Sequence, residues 1–272
     1  MSTFSVCATL YGEHLPLAAK LLESLSVNAH VKDIRLGLNS VSHETTRYVH
    51  EWAREQMKIQ PVYLFEPADS RNVGKYPLMR QMFHYPGLAE KIMWFDDDSY
   101  VDAAAGPDWW DTAYTLARCH IQVGAIHFIP QRGLQYKVIQ QQPWFTGKVV
   151  SPRHRYEFIT GGWWVGDSAF LNKWDYPFPD LYHNGGDSIL GELIRQQGIK
   201  LGKFRSGIQC HCESCSNRGI EYGKPVVHVN VGGRKGRRGI GTTGENYVWS
   251  DGNPAPVLDH QNFDLGVYRY EN

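Results

Sequence analysis

The strongest constraint on this chain is a hydrophobic pattern that keeps switching period through its first hundred residues. Residues 4–10, FSVCATL, are rich in strand formers and read as a strand. Residues 15–25 place Leu15, Ala18, Leu21, Leu22 and Leu25 at helical spacing. The alternation continues with a strand over 34–39 and a helix over 42–57, opened by Ser42 or His43 with Glu44 in its first turn. A strand over 62–65, a helical segment over 77–83 and a strand over 91–95 follow. Strands and helices in alternation predict an α/β fold with a mostly parallel, Rossmann-like central sheet flanked by helices. Such sheets bind ligands at the carboxyl ends of their strands. The strand over 91–95 runs there into three consecutive aspartates, Asp96, Asp97 and Asp98.

The second half is less regular. A helix is expected over 108–120, a strand over 123–129, and a strand over 156–165 broken by Gly161-Gly162. Residues 135–150 read as a pair of β-ribbon strands or a loop, 187–197 as a helix stopped by Gly198, and 226–231 as a last strand. The Gly-, Asn- and Pro-rich tail from residue 232 reads as loop. No repeat or linker divides the chain, so residues 1–272 are expected to form a single domain.

Composition excludes several classes. Hydrophobic residues at 42% and charged residues at 21% suit a globular core and not a disordered chain. The 28 basic and 28 acidic residues cancel, so no global positive field gathers nucleic acid. No apolar run is long enough to span a membrane, and the start of the chain lacks the pattern of a signal peptide. A cytoplasmic protein without membrane contact is therefore expected. The five cysteines, an odd number, fit a reducing compartment. Cys210, His211, Cys212 and Cys215 stand too close to surround one zinc ion without a distant partner such as His183 or His228, and are read as free thiols in a loop. Aromatics reach 13%, which suits ring stacking as well as core packing.

Three adjacent carboxylates at the lip of an apolar strand raise one another's pKa or recruit a cation. Oxygen ligands of this kind suit Mg2+ or Mn2+, often together with substrate phosphates; the alternative is a solvated acidic turn. Asp187, in Gly186-Asp187-Ser188 at a predicted helix start, is either an N-cap or a general base. Gly161-Gly162-Trp163-Trp164 offers close backbone approach and flat faces for a ring, or else a strand bulge with packed tryptophans. Lys224, His228 and the stretch Gly232-Gly233-Arg234-Lys235-Gly236-Arg237-Arg238 are basic and glycine-rich, fit to fold over a pyrophosphate, to contact nucleic acid, or to form a surface loop.

In this order the motifs resemble the nucleotide-sugar glycosyltransferases of the GT-A fold. Thr9 and Tyr11 lie in a segment similar to the opening strand that meets the nucleotide base. Arg71-Asn72-Val73-Gly74-Lys75 resembles the N-x-G-K segment that leads into a helix lining the nucleotide pocket, with Arg80 further along. Trp94-Phe95-Asp96-Asp97-Asp98-Ser99-Tyr100-Val101 resembles the DxD motif.

The resemblance implies that residues 1–102 bind the nucleotide sugar. Residues 103–231, with a smaller β region, would bind the acceptor, and 232–272 would form a basic loop and tail. It implies Asn72, Lys75, Arg80, Asp96, Asp97, Lys224 and Arg234 at the donor, and Asp96, Asp98 and His228 on Mn2+ or Mg2+. Gly161, Gly162, Trp163 and Trp164 would stand at the acceptor, with Asp187 as the base of an inverting transfer. Gly186 departs from the family's usual Glu. A UDP-sugar is the expected donor. A small enzyme of this type, from a bacterium or a phage-infected host, has a hydroxymethylated DNA base as its leading acceptor, beside a saccharide or a protein hydroxyl. Two other functions remain: a nucleotide-sugar-binding protein that has lost catalysis, and a metal-dependent phosphotransferase or nucleotidyltransferase.

Overall fold

The computed structural model describes residues 4–12, 15–26, 30–130, 139–140, 142–148, 155–179, 181, 186–210, 229–230, 247–248 and 263–271. The first half alternates as its pattern predicts: β1 (Phe4–Gly12), α1 (Leu15–Leu25), β2 (Val31–Val41), α2 (His43–Gln56), β3 (Val62–Pro67), α3 (Lys75–His84) and β4 (Lys91–Phe95). Next come β5 (Ser99–Val101), α4 (Trp109–Cys119), β6 (Gln122–Pro130), β7 (Arg155–Asp167), α5 (Ser168–Lys173) and α6 (Gly186–Gln196). Five short pieces follow: β8 (Gly202–Lys203), β9 (Ile208–Cys210), β10 (Val229–Asn230), β11 (Tyr247–Val248) and β12 (Leu265–Tyr270).

One eight-stranded sheet carries the architecture, in the order β12-β3-β2-β1-β4-β7-β6-β8. β1 pairs in parallel with β2 and β4, β2 with β3, and β6 with β8. β7 runs antiparallel between β4 and β6, and β12 runs antiparallel along β3. Successive strand residues face opposite sides, and the apolar content divides accordingly. Met93 and Phe95 of β4 pack on one face with Leu21 and Leu22 of α1, Val49 of α2 and Trp109 of α4. Ile92 and Trp94 pack on the other with Met79 and Phe83 of α3, Leu171 of α5 and Leu190 of α6. A strand buried on both faces reads as a continuous apolar run, which is why IMWF is so clear a signal.

Local chemistry fixes the helix ends. Ser42 caps α2, its hydroxyl accepting from the Thr45 N–H at 3.2 Å. The C-terminal end of α3 is held by Arg35, which is fully buried on β2. Its Nε donates to Asp33 at 2.9 Å, Nη1 to the Met82 and Tyr85 carbonyls at 2.7 and 2.8 Å, and Nη2 to the Pro86 carbonyl at 3.0 Å.

Three expectations change. Residues 247–248 and 265–270, expected as loop, form β11 and β12; the adjacent Val267 and Tyr268 of β12 are both exposed, and an edge strand wet on both faces lacks the apolar run that marks a central strand. Residues 142–148 hold no strand, so the ribbon reading fails for that part of 135–150. α5 is a helix that the sequence reading did not anticipate; Asp167 caps it by accepting from the Phe170 N–H at 2.8 Å.

Candidate active site

The carboxyl ends of β1, β2 and β4 meet the start of α3. Asn39, at the end of β2 and opposite Tyr11 in register, organises the loop before α3. Its Oδ1 accepts the Val73 N–H at 2.9 Å and its Nδ2 donates to Asn72 Oδ1 at 2.9 Å, which also accepts the Gly74 N–H at 2.9 Å. Gly74 has φ 89°, a conformation that glycine adopts at little cost, and it turns the chain into α3 at Lys75. Thr9 is 5% exposed on β1, and its hydroxyl has no hydrogen-bond partner among the described residues.

Lys75 is delivered in this way to the aspartate lip. Its Nζ stands 2.5 Å from Asp96 Oδ1, and the Trp94 indole N–H donates to the same oxygen at 2.7 Å. The ammonium lies 5.6 Å from the ring centres of Tyr76 and Trp94. Burial disfavours the ammonium, but the charge and hydrogen bond of Asp96, with Asp187 adding, hold the Lys75 pKa above its ordinary value. Asp98 is buried, accepting from the Ser99 hydroxyl at 3.1 Å and the Cys210 thiol at 3.8 Å. Ser99 and Cys210 face each other across the antiparallel β5–β9 ribbon. Gly162 lets that ribbon approach, since a Cβ there would stand 3.0 Å from both Cys210 Sγ and Ser99 Oγ. Its carbonyl accepts the Asp96 N–H at 2.9 Å.

Asp187 lies in the first turn of α6, where its Oδ1 accepts the Ser188 N–H at 2.8 Å. Burial raises its pKa above the usual carboxylate range; the Lys75 charge and the Ser188 N–H oppose the rise without cancelling it. One ammonium therefore acts on two carboxylates that are distant in sequence, one from the strand lip and one from a helix start.

The fold gathers Asn72, Lys75, Asp96 and Asp187 into one electrostatic neighbourhood. Two expectations are corrected. Trp163 and Trp164 are 4% and 2% exposed and point to opposite faces of the sheet, so they offer no stacking face to an acceptor. Trp163 packs on Trp109 and Phe204, and Trp164 on Phe83 and Trp94. Trp164→Ala should therefore cost about 3–5 kcal/mol in denaturant unfolding; a variant of unchanged stability would restore a surface role. Arg80 does not turn to a nucleotide but straps the segment after α5, donating to the Asp175 and Pro177 carbonyls at 3.2 and 2.6 Å and pairing with the Asp175 carboxylate at 2.8 Å.

Lys224, His228 and Arg234 lie outside the described residues, as do His183, His211, Cys212 and Cys215. Cys7 and Cys119 are free thiols, and Cys210, expected in a loop, ends β9 with its thiol on Asp98. The sequence reading missed Asn39, Tyr76 and Tyr176; Asn39, a polar residue at the end of an apolar strand, carried a usable signal, whereas the tyrosines were lost among fifteen.

Two solved structures share this fold. One is the mannosyltransferase PcManGT from Pyrobaculum calidifontis in complex with GDP-Man and Mn2+, with TM-score 0.51 at 14% identity, covering 75% of this chain and 55% of that one. The other is GalNAc-T7 with UDP, GalNAc and Mn2+, with TM-score 0.51 at 13% identity, covering 76% of this chain and 43% of that one. The fold is of the GT-A type. This chain spans about half the length of those structures. No protein-family model matches the sequence, and no curated protein matches it. Among the described residues, no helix of this GT-A chain is long and apolar enough to cross a membrane.

Proposed function

We propose that the chain is a glycosyltransferase that moves a sugar from a nucleotide diphosphate sugar to an acceptor hydroxyl. The observation that carries this reading is the placement of Lys75 between the Asp96 lip and Asp187, at the strand ends of a GT-A sheet. The two similar enzymes bind GDP-Man or UDP with Mn2+, which supports a nucleotide-sugar donor and a divalent ion here. UDP is the proposed nucleotide.

The donor set fits such an ion in kind, since carboxylate oxygens are the ligands Mg2+ and Mn2+ take. Among the described residues no three His, Cys, Asp or Glu side chains close on one point. Asp96 and Asp98 would hold the ion with His228 and the diphosphate oxygens of the donor. When bound, it supplies positive charge to the departing diphosphate.

The chain's own groups do the rest. Asn72, Asp97, Lys224 and Arg234 are assigned to the donor, and Thr9 brings a buried hydroxyl with hydrogen-bonding capacity to spare beside Tyr11. Asp187 takes the proton of the acceptor hydroxyl as its oxygen bonds to the anomeric carbon. The bond from that carbon to phosphate oxygen breaks on the opposite side, and nucleoside diphosphate leaves with inversion.

A thermal-shift screen of UDP- and GDP-sugars with and without Mn2+ tests the donor reading. Stabilisation that requires both ion and nucleotide sugar is expected, and Asp98→Ala should abolish it. No shift with any donor would sink the reading. A hydroxymethylated DNA base is the proposed acceptor, resting now on the basic stretch from Arg234 to Arg238, because Trp163 and Trp164 are spent in the core. Affinity for duplex DNA should fall by orders of magnitude between roughly 50 and 200 mM salt; absence of binding at low salt would turn the assignment to a saccharide or protein hydroxyl.

A further inference from the structure

The start of α6 is held by a pair of buried tyrosines. Tyr76 follows Lys75 on α3, and its ring lies against the backbone of Gly186; a Cβ on that glycine would stand 2.3 Å from the ring. Glycine at 186 is what admits Tyr76. The Tyr76 hydroxyl oxygen accepts the backbone N–H of Asp187 and is hydrogen-bonded to the hydroxyl of Tyr176. Tyr76 and Tyr176 are 3% and 1% exposed, so these bonds do not compete with water. Tyr176 is fixed in turn by Arg80, which grips the chain on both sides of it at Asp175 and Pro177. A continuous line of contacts thus runs from Arg80 through Tyr176 and Tyr76 to the first turn of α6.

We propose that Tyr76 and Tyr176 are positioning residues that set the start of α6 and so aim the Asp187 carboxylate. The inference rests on the proposed role of Asp187 as base. The physical reason is economy of motion. The first N–H groups of a helix lack intrahelical acceptors, so an end without a fixed partner frays. A carboxylate in the first turn frays with it, and a misplacement of about 1 Å can cost on the order of a hundredfold in rate. The Tyr76 oxygen is the partner here, and Tyr176 keeps that oxygen in place.

Tyr76→Phe keeps the ring beside Gly186 and removes only the acceptor; Gly186→Ala displaces the ring and leaves the hydroxyl. Hydrogen exchange of the Asp187 amide should quicken about tenfold or more in both variants, while amides of β1 and β4 keep the wild-type rate. Turnover is read as UDP release from UDP-glucose with Mn2+, or from whichever UDP- or GDP-sugar gives the largest thermal shift. In Tyr76→Phe, kcat should fall about tenfold with the donor KM unchanged. Unchanged exchange at Asp187 overturns the proposal, and so does faster exchange with unchanged kcat. Should the wild-type chain release no nucleotide, the glycosyltransferase reading fails by itself. The pair is then judged by exchange together with the carboxyl titration of Asp187 in carbon-13 spectra. That titration should rise further in Tyr76→Phe as the carboxylate drifts from Lys75, and an unmoved titration rejects the positioning role.

Discussion

Asp187→Asn should leave donor binding intact and reduce transfer by about 10²- to 10⁴-fold. Asparagine keeps the size of the side chain and its acceptor for the Ser188 N–H but cannot take a proton from the acceptor hydroxyl. The wild-type pH profile carries a second signature. Asp187 works ionised, and burial places its pKa above the usual carboxylate range, so the rate should climb with pH through that raised value. The stability effect has the opposite sign. A carboxyl that holds its proton more tightly folded than unfolded favours folding below the unfolded pKa, and that contribution is lost as pH rises through the folded pKa. Asp187→Asn should therefore melt higher than wild type at neutral pH, and the advantage should vanish in acid. Unchanged transfer removes the base assignment. A lower melting temperature at neutral pH would mean that the carboxylate serves the fold.

The second large effect concerns stability. Arg35→Met deletes a guanidinium that serves Asp33 and three carbonyls at the end of α3. The Asp33 carboxylate then stays buried without its counter-charge, a change that costs about 3–5 kcal/mol. Urea unfolding of the variant reads it directly. Replacing Asp33 by Leu in the same chain should recover much of the loss, because an apolar pair leaves no buried charge alone. A cost below about 1 kcal/mol for the single variant would show that water or another group takes the place of the guanidinium.

Much of the frame was legible in the sequence because burial on both sides of a sheet leaves an unbroken apolar run. IMWF ending in Asp96 located both β4 and the lip, and Ser42 marked the start of α2. Trp163-Trp164 misled for the same reason: on a central strand, adjacent large side chains go to opposite cores, and composition alone cannot tell a core face from a binding face. Arg80 shared a helix with Lys75, but its reach depended on a segment beyond residue 174 that no periodicity places. Tyr76 was invisible as a positioning group because its significance lies in what stands opposite, a glycine more than a hundred positions later. Reading Gly186 only as a lost Glu missed that the space is filled.

The edge strand β12 gives the sheet an order of assembly. His50 and Tyr270, joined at 2.6 Å, are 220 residues apart in sequence. β3 can pair with β2 early, through a short helical crossover, but its other edge has no partner until residues 265–270 are made and return to it. During synthesis that edge stays open as a row of unpaired N–H and C=O groups, the template on which chains join to one another. Closure over such a distance is slow. Yield from an expressing cell should therefore depend on how quickly the last six-residue strand finds β3, a kinetic demand placed on a segment remote from the chemistry.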